Sequence, residues 1–514
     1  NISATTTADI TPKALTISGI TATDKVYDAT TQASVSTAGL TTNVMHTAGL
    51  IAGDDFHVSA TGNFRDANNT ANDKNVGNNK TVLLNASYVG ADVNNYTVID
   101  QATTTASITP KSIQLAGLSV ASSKVYDGTT DASVQGSASL LNSETAGRGS
   151  STDGKPYLND VLNLVGASTG TYNSKDVTSA SSVAFTGISL SGSDANNYTL
   201  LAHANASATI TPKTLIVQAN DDAQFVTRAD AINFAGASYS GFVTNESTAN
   251  LSGTLAITRT NSTTTAAGVY NNVLLPSGLS STNYNIVNQA GQYTIVPANQ
   301  LLVRVANSTT TYGTSPALSI SSAQYLASDN TTIRDLTSSI NTSNGVFSLT
   351  DGSSGSAQFG LSLNNPTLSG AGMPTVGIWD ITANNINRTS SNFSNNLVVV
   401  GSQTINPKPL TINVTAANKV YDGTAIATPS LSTTDVLTGD NVNLLVGAAN
   451  FANKNAGTAK TVAATGLGLN GTDIGNYVLQ NISAITTADI TPKELTASVT
   501  ATDKVYDGTT ATNA

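Results

Sequence analysis

This sequence predicts an all-β protein: a tandem array of small antiparallel β-sandwich (Ig-like) modules forming an elongated rod. Three observations carry the prediction. At 514 residues the chain is several times longer than one typical domain. Thr, Ser, Asn, Ala and Gly dominate, and only 11% of residues are charged and 5% aromatic, which suits strands and small cores. A proline-centred joint, mostly Ile-(Thr/Asn)-Pro-Lys, recurs at Pro12, Pro110, Pro212, Pro407 and Pro492, with Pro297 in "TIVPANQ" as a weaker copy, at spacings of 98, 102, 85, 110 and 85.

Two aromatic markers keep step with the prolines. Tyr27, Tyr126, Phe225, Tyr312, Tyr421 and Tyr506 follow a proline by 13 to 16 residues. Asn95-Tyr96, Asn197-Tyr198, Asn283-Tyr284, Asn392-Phe393 and Asn476-Tyr477 precede the next one by 13 to 15. Five units are therefore complete, at 13–110, 111–212, 213–297, 298–407 and 408–492; residues 1–12 end a preceding module and 493–514 start a further one. "NISATTTADITPK" at the start repeats as "NISAITTADITPK" at 481–493, so the ends read as cut from a longer array.

Around each joint apolar residues alternate, as in Ala106, Ile108, Ile113 and Leu115, so the proline falls between two strands. Proline has no N–H for a ladder and a fixed φ, which makes this position tolerant of it and the joint short. Inside each unit short apolar segments are broken by Gly, Asn, Asp and Ser turns, without a sustained 3.6-residue period; about seven strands per module are expected. A β-helix would repeat every 20 to 30 residues or so, far below the observed period.

Composition excludes several partners. A net charge of −10 disfavours nucleic acid, which needs clustered cations, and no polybasic membrane patch is present. No apolar run approaches about 18 residues, so membrane insertion of this segment is not expected. Cysteine is absent, which removes disulfides, thiolate nucleophiles and Cys-ligated metals. His46, His57 and His203 occupy non-equivalent module positions without a recognisable nucleophile or metal partner. No catalytic residue, cofactor or metal is assigned, no enzymatic activity is expected, and ligand-binding residues are left unknown.

The motif KVYD, at Lys25, Lys124, Lys419 and Lys504, admits two readings. In the structural one Val and Tyr end a strand, Asp starts a turn, and the tyrosine ring fills one end of its module's own core. In the functional one Lys and Asp grip a ligand in each copy. Structure is favoured, and because Ala29 stands where the other copies have Gly, a required positive φ is not expected. A second signature, Gly-x-Asp-x-x-Asn-Tyr, covers Gly90 to Tyr96, Gly192 to Tyr198 and Gly471 to Tyr477. Its oxygens could serve calcium, but turn formation explains the same residues and no bidentate Glu follows.

"ITPK", "KVYDGTT" and "GSDANNYTL" together resemble the YDG repeat of large secreted bacterial adhesins of the filamentous-haemagglutinin type. Units three and four, with "YSGFVTNE", "AGVYNNV", "YGTSPAL" and "VGIWDIT", resemble the accompanying MBG repeat. The resemblance implies an extracellular, cell-surface stalk exported by two-partner secretion through an outer-membrane partner. It implies exopolysaccharide or surface glycans as adhesion partners in biofilm. A multivalent carbohydrate-binding array and spacer modules of an extracellular enzyme are the alternatives.

Three further features stay open at this stage. Trp379 aligns with Tyr270 and is expected in the core rather than stacked on a sugar. The extra polar segment 142–158 of unit two is either a contact loop or a tolerated insertion, the second being favoured. Asn69, Asn95, Asn197, Asn307 and Asn413 lie in Asn-x-Ser/Thr sequences, which this composition also produces by chance.

Overall fold

The computed structural model describes residues 5–393 and 397–511. The first residues of segment 1–12 and the last of segment 493–514 lie outside them. The chain divides into two compact units, one formed by residues 1–118, 136–168 and 185–204, the other by 119–135, 169–184 and 205–514. Nearly every element is a strand; one short α-helix, Thr42–Thr47, is capped by the Thr41 hydroxyl. Among the described residues no helix is long and apolar enough to cross a membrane.

Segment 13–110, in the first unit, shows how a module is built. Its main sheet orders Lys25–Val26, Thr103–Thr109, Gly77–Val89, His57–Phe64 and Gln32–Ala33. Lys13–Thr16 pairs with Tyr96–Ile99, and Thr21–Ala22 with Val35–Ser36, across the core from it. Nine strands appear where about seven are expected, because two edge strands each switch sheets midway and count twice. Leu15, Ile17, Ile20, Phe64, Val82, Ala106 and Ile108 fill the space between, so alternation places one apolar side chain inward at every second residue.

Two pairings per module of this type run parallel, an addition to the antiparallel expectation. Lys13–Thr16 parallels Tyr96–Ile99, and Lys25–Val26 parallels Thr103–Thr109. A first strand parallel to the last one carries the chain in at one end of a sandwich and out at the other. The same parallel pairs recur as Lys213–Ala219 with Tyr284–Gln289, and as Lys408–Leu410 with Tyr477–Leu479.

Pro110, Pro212 and Pro407 each separate two strands: Thr103–Thr109 from Lys111–Val120, Thr209–Thr211 from Lys213–Ala219, Ser402–Asn406 from Lys408–Leu410. The carbonyl just before the proline receives the tyrosine of the recurring tag. Tyr27 N–H donates to Thr109 O, Tyr126 N–H to Thr211 O, Tyr312 N–H to Asn406 O and Tyr421 N–H to Thr491 O, all at 2.8 Å. The tagged tyrosine is thereby fixed where its module's chain leaves.

Candidate functional site

The tag itself is a local clasp. Lys25 Nζ donates to Asp28 Oδ1 at 2.6 Å, to Thr30 O at 2.8 Å and to Gln32 O at 2.9 Å, while Asp28 Oδ1 accepts the N–H and hydroxyl of Thr30. Lys124 with Asp127 and Thr129, and Lys419 with Asp422 and Thr424, repeat this bond for bond. The ammonium also lies over an aromatic ring of the same module, Phe64, Tyr172 or Phe451, at 5.3–5.6 Å. Lys504, Asp507 and Thr509 form the clasp in a stretch that has no strands, so the motif needs no sheet behind it. Lys and Asp thus spend their bonding capacity on their own loop.

The fifth residue of the clasp, just after its Asp, is left-handed in every copy: Ala29 at φ 60°, Gly128 at 80°, Gly423 at 82° and Gly508 at 76°. The expectation drawn from Ala29 is therefore wrong. The lysine bonds determine the loop's course, and alanine is carried through a conformation that its Cβ disfavours.

Tyr27 and Tyr126 belong to core clusters that include apolar residues of their own modules, Leu15 and Ile108 with Tyr27, Val183 and Ile210 with Tyr126. The rings of Tyr27, Tyr126 and Tyr312 also reach the following module, where each meets the Asn-Tyr signature and an acid. Tyr27 donates to Asp160 Oδ2 at 2.7 Å, and Tyr198 donates to the same oxygen at 2.6 Å. Tyr126 and Tyr284 share Glu246 at 2.6 and 2.5 Å, and Tyr312 and Tyr477 share Asp440 Oδ2, both at 2.6 Å. The ring pairs meet edge-on, with centroids 5.2, 5.5 and 5.4 Å apart. Tyr27, Tyr126 and Tyr312 are each 1% exposed. Burial first, then the bond to the carboxylate, raises all six phenols above their ordinary range, Tyr312 to about 12.

The acceptor side is equally regular. The signature tyrosine accepts an N–H from the residue three before the acid: Tyr157 N–H to Tyr198, Val243 N–H to Tyr284, Leu437 N–H to Tyr477, at 2.9–3.0 Å. The signature Asp accepts the N–H just after the acid, Val161 for Asp194 and Asn441 for Asp473. The signature Asn takes a backbone N–H from the preceding module: Val76 for Asn197, Val177 for Asn283, Val376 for Asn476, at 2.9–3.0 Å. The signature Gly is left-handed at φ 118° in Gly192, where a Cβ would lie 2.1 Å from Val161 O. In Gly192–Tyr198 and Gly471–Tyr477 these bonds engage the Asp and Asn oxygens considered for calcium, and among the described residues no group of three or more metal-ligating side chains assembles. Asn197, one of the Asn-x-Thr sites, is buried in the first joint.

Cations complete two of the joints. Lys74, two residues before Val76, pairs with Asp160 and lies 3.4 Å from Asp194; Lys175 lies 3.8 Å from Glu246. In the joint between 298–407 and 408–492 the Ala371 N–H reaches Asp440 Oδ1 instead, at 2.8 Å. The junction between 213–297 and 298–407 departs from the pattern. Phe225 and Phe393 replace both tyrosines, Phe225 packs with Val296, Leu302, Leu326 and Val400, and Asp329 turns to the N–H groups of Thr331 and Thr332. Arg304 pairs with Asp222 there, and Ser238, Ser402 and Asn220 form a buried polar cluster that the Asn307 amide oxygen joins from the surface. Burial, then the charge of Asp380, lifts Asp221 to about 7.

Segment 142–158 is neither a free contact loop nor an idle insertion. It encloses the fully buried Lys111, whose ammonium pairs with Glu144 and Asp153 and lies 4.2 Å from the centroid of the Tyr157 ring. Its Gly147 N–H reaches Asp28 O in the neighbouring module's clasp at 2.8 Å. Trp379 is half-buried rather than fully in the core, and its Nε1 donates to Thr375 O at 2.8 Å, as the Tyr270 hydroxyl does to Ala266 O at 2.9 Å. The three histidines lie apart: His57 near Asp55, His203 edge-on to Phe185, His46 on the helix.

A cleft of about 620 Å³ opens in the second unit. Lys213, Tyr239, Phe242, Glu246, Thr309 and Pro407 are among its walls, and burial lowers the Lys213 ammonium from its ordinary range.

The family model of the YDG domain matches residues 11–106, 109–209 and 406–486, more than half of the chain. The chain belongs to the YDG domain family. Each matched YDG segment contains one clasp and one Asn-Tyr signature; the clasp tyrosines of the first two, Tyr27 and Tyr126, are ones that enter a joint. No curated protein matches the YDG chain. Among solved structures it is similar to the N-terminal four Ig domains of Dscam1 isoform 7.44, at 9% identity over 74% of this chain and 100% of that one, with a TM-score of 0.16. Protocadherin Gamma B2 extracellular cadherin domains 1–5 match at 10% identity over 93% of this chain and 100% of that one, TM-score 0.16. With TM-scores this low, the sandwich assignment rests on the strand pairings above.

Proposed function

We propose that this YDG chain is the repeat stalk of a secreted bacterial surface adhesin. Its modules project a binding region from the cell and support cell–cell or cell–matrix adhesion in biofilm, with MBG-like modules at 213–297 and 298–407. The observation that carries the reading is the shared carboxylate: in three joints one acid accepts hydroxyls from tyrosines of two consecutive modules. A charge-assisted bond shielded from water resists hinging more than a solvated linker does. In this reading the chain spaces and holds, and does no chemistry. The test is Asp160→Ala, Glu246→Ala and Asp440→Ala together in the whole adhesin, with surface display matched. Reduced cell aggregation supports the stalk; unchanged aggregation removes mechanical coupling from the function.

A second reading, an array whose modules bind exopolysaccharide, is favoured by the cleft, where the aromatic faces of Tyr239 and Phe242 lie among hydroxyls and the Lys213 ammonium. Saturable exopolysaccharide binding that is lost in Tyr239→Ala would favour it over a pure spacer.

A further inference from the structure

A lysine just after the joint proline holds one structural position in three modules. Lys111, Lys213 and Lys408 each open a strand in parallel register with a signature tyrosine, opposite Tyr198, Tyr284 and Tyr477. Two of these ammonium groups are satisfied by their own module. Lys111 is paired with Glu144 and, at 3.1 Å, with Asp153 of segment 142–158, beside the Tyr157 ring. Lys408 donates to Asp435 O.

Lys213 is the exception. It lines the cleft of about 620 Å³ and has no side-chain hydrogen bond or ion pair among the described residues. Asp127 and Glu246 line the same cleft, but Asp127 holds Lys124 at 2.8 Å, and Glu246 accepts from Tyr126 and Tyr284. Leaving a half-buried ammonium unpartnered costs free energy, and burial lowers Lys213 from its ordinary range against the opposing pull of those two acids. The other walls suit a sugar. Tyr239 and Phe242 are half-buried, the Tyr239 hydroxyl has no partner among the described residues, and Asn245, Thr248 and Thr309 are exposed beside them. Aromatic rings cover the apolar face of a pyranose, while hydroxyls and amides bond its edge.

We infer that this cleft binds an acidic saccharide, with the Lys213 ammonium taking a uronate carboxylate in the place that Glu144 and Asp153 fill at Lys111. Tyr239 and Phe242 hold the ring. One uronate flanked by neutral sugars fits, because Asp127 and Glu246 repel a second carboxylate. The inference rests on the reading of these modules as a polysaccharide-binding array and adds the charge of the ligand to it.

Isothermal titration of the whole chain with an oligosaccharide that alternates glucuronate with a neutral hexose tests it, beside the methyl ester of the same oligosaccharide. The acid should bind saturably, and the ester about tenfold or more weaker. Lys213→Gln should weaken the acid by a similar factor and erase its advantage over the ester, whereas Lys454→Gln, at an exposed lysine outside the cleft, should change neither. Acid and ester that bind equally, both lost in Tyr239→Ala, overturn the inference and leave the array reading standing. No saturable binding of either up to about 1 mM overturns the inference and removes this cleft from the array reading. A blocked peptide with one glutamate that binds as tightly as the acidic sugar overturns the saccharide assignment. Undiminished binding of the acid by Lys213→Gln, folded by circular dichroism, overturns the role of the ammonium; should that variant misfold, the comparison of acid with ester on the unchanged chain still decides.

Discussion

The hydroxyl of Tyr27 lies 2.7 Å from Oδ2 of Asp160, a residue 133 positions further along the chain and in the next module. The same oxygen accepts from Tyr198, and Lys74 pairs with the other. One carboxylate thus gathers groups from two folding units, and its removal strands all of them in a buried place.

Tyr27→Phe removes one donor and leaves the carboxylate two partners, so a loss of about 1–2 kcal/mol is expected. Asp160→Ala leaves two phenols and an ammonium without their acceptor and should cost more, about 3 kcal/mol or above. Urea denaturation of both variants and of the double variant checks this. The double variant should fall well short of the sum, because the two residues share one interaction.

Ala29→Gly relieves a left-handed alanine and should stabilise the chain by about 1 kcal/mol. Gly128→Ala should do the reverse, with an added contact, since a Cβ there would lie 3.1 Å from Val243 Cγ2. Melting temperatures of the two variants should move in opposite directions.

The joints should weaken at both ends of the pH range. Burial tends to raise Asp440, but the hydroxyls of Tyr312, Tyr477 and Ser369 outweigh it and hold the carboxyl below its ordinary 3.8. A depressed acid contributes stability that is present above the unfolded value and lost as pH falls through the folded one. Tyr312 is raised from 10.0 to about 12, so its contribution is full below pH 10 and lost as pH climbs toward 12. Stability profiles should show both limbs, with Asp440→Asn flattening the acid one and Tyr312→Phe the alkaline one.

Asp221, raised to about 7 by burial and then by Asp380, works in the opposite sense to Asp440. Its folded-state pKa exceeds the unfolded one, so its favourable term is complete below pH 4 and disappears as pH rises through 7. Asp221→Asn should raise the melting temperature at pH 8 more than at pH 5. An equal gain at both would remove titration as the cause.

Much of the fold was legible in the residues: strand alternation around Ile108 and Ile113, proline as the break between strands, and the steady spacing of the aromatic tags all follow from local backbone and burial rules. Part of the site was legible too, namely that KVYD and Asn-Tyr belong to structure. The acids were missed, although a short signal exists, an apolar residue three before each acid: Tyr157 and Asp160, Val243 and Glu246, Leu437 and Asp440. In a chain full of polar turns such a pair is inconspicuous.

By itself, then, the order of residues determined the repeat, the strands and the clasp, because each depends on groups within a few positions of one another. Tertiary structure alone decided that a tyrosine from one module and a tyrosine from the next converge on one carboxylate. Partners 120 to 133 residues apart share no local pattern, and only burial between two surfaces makes their meeting energetically necessary.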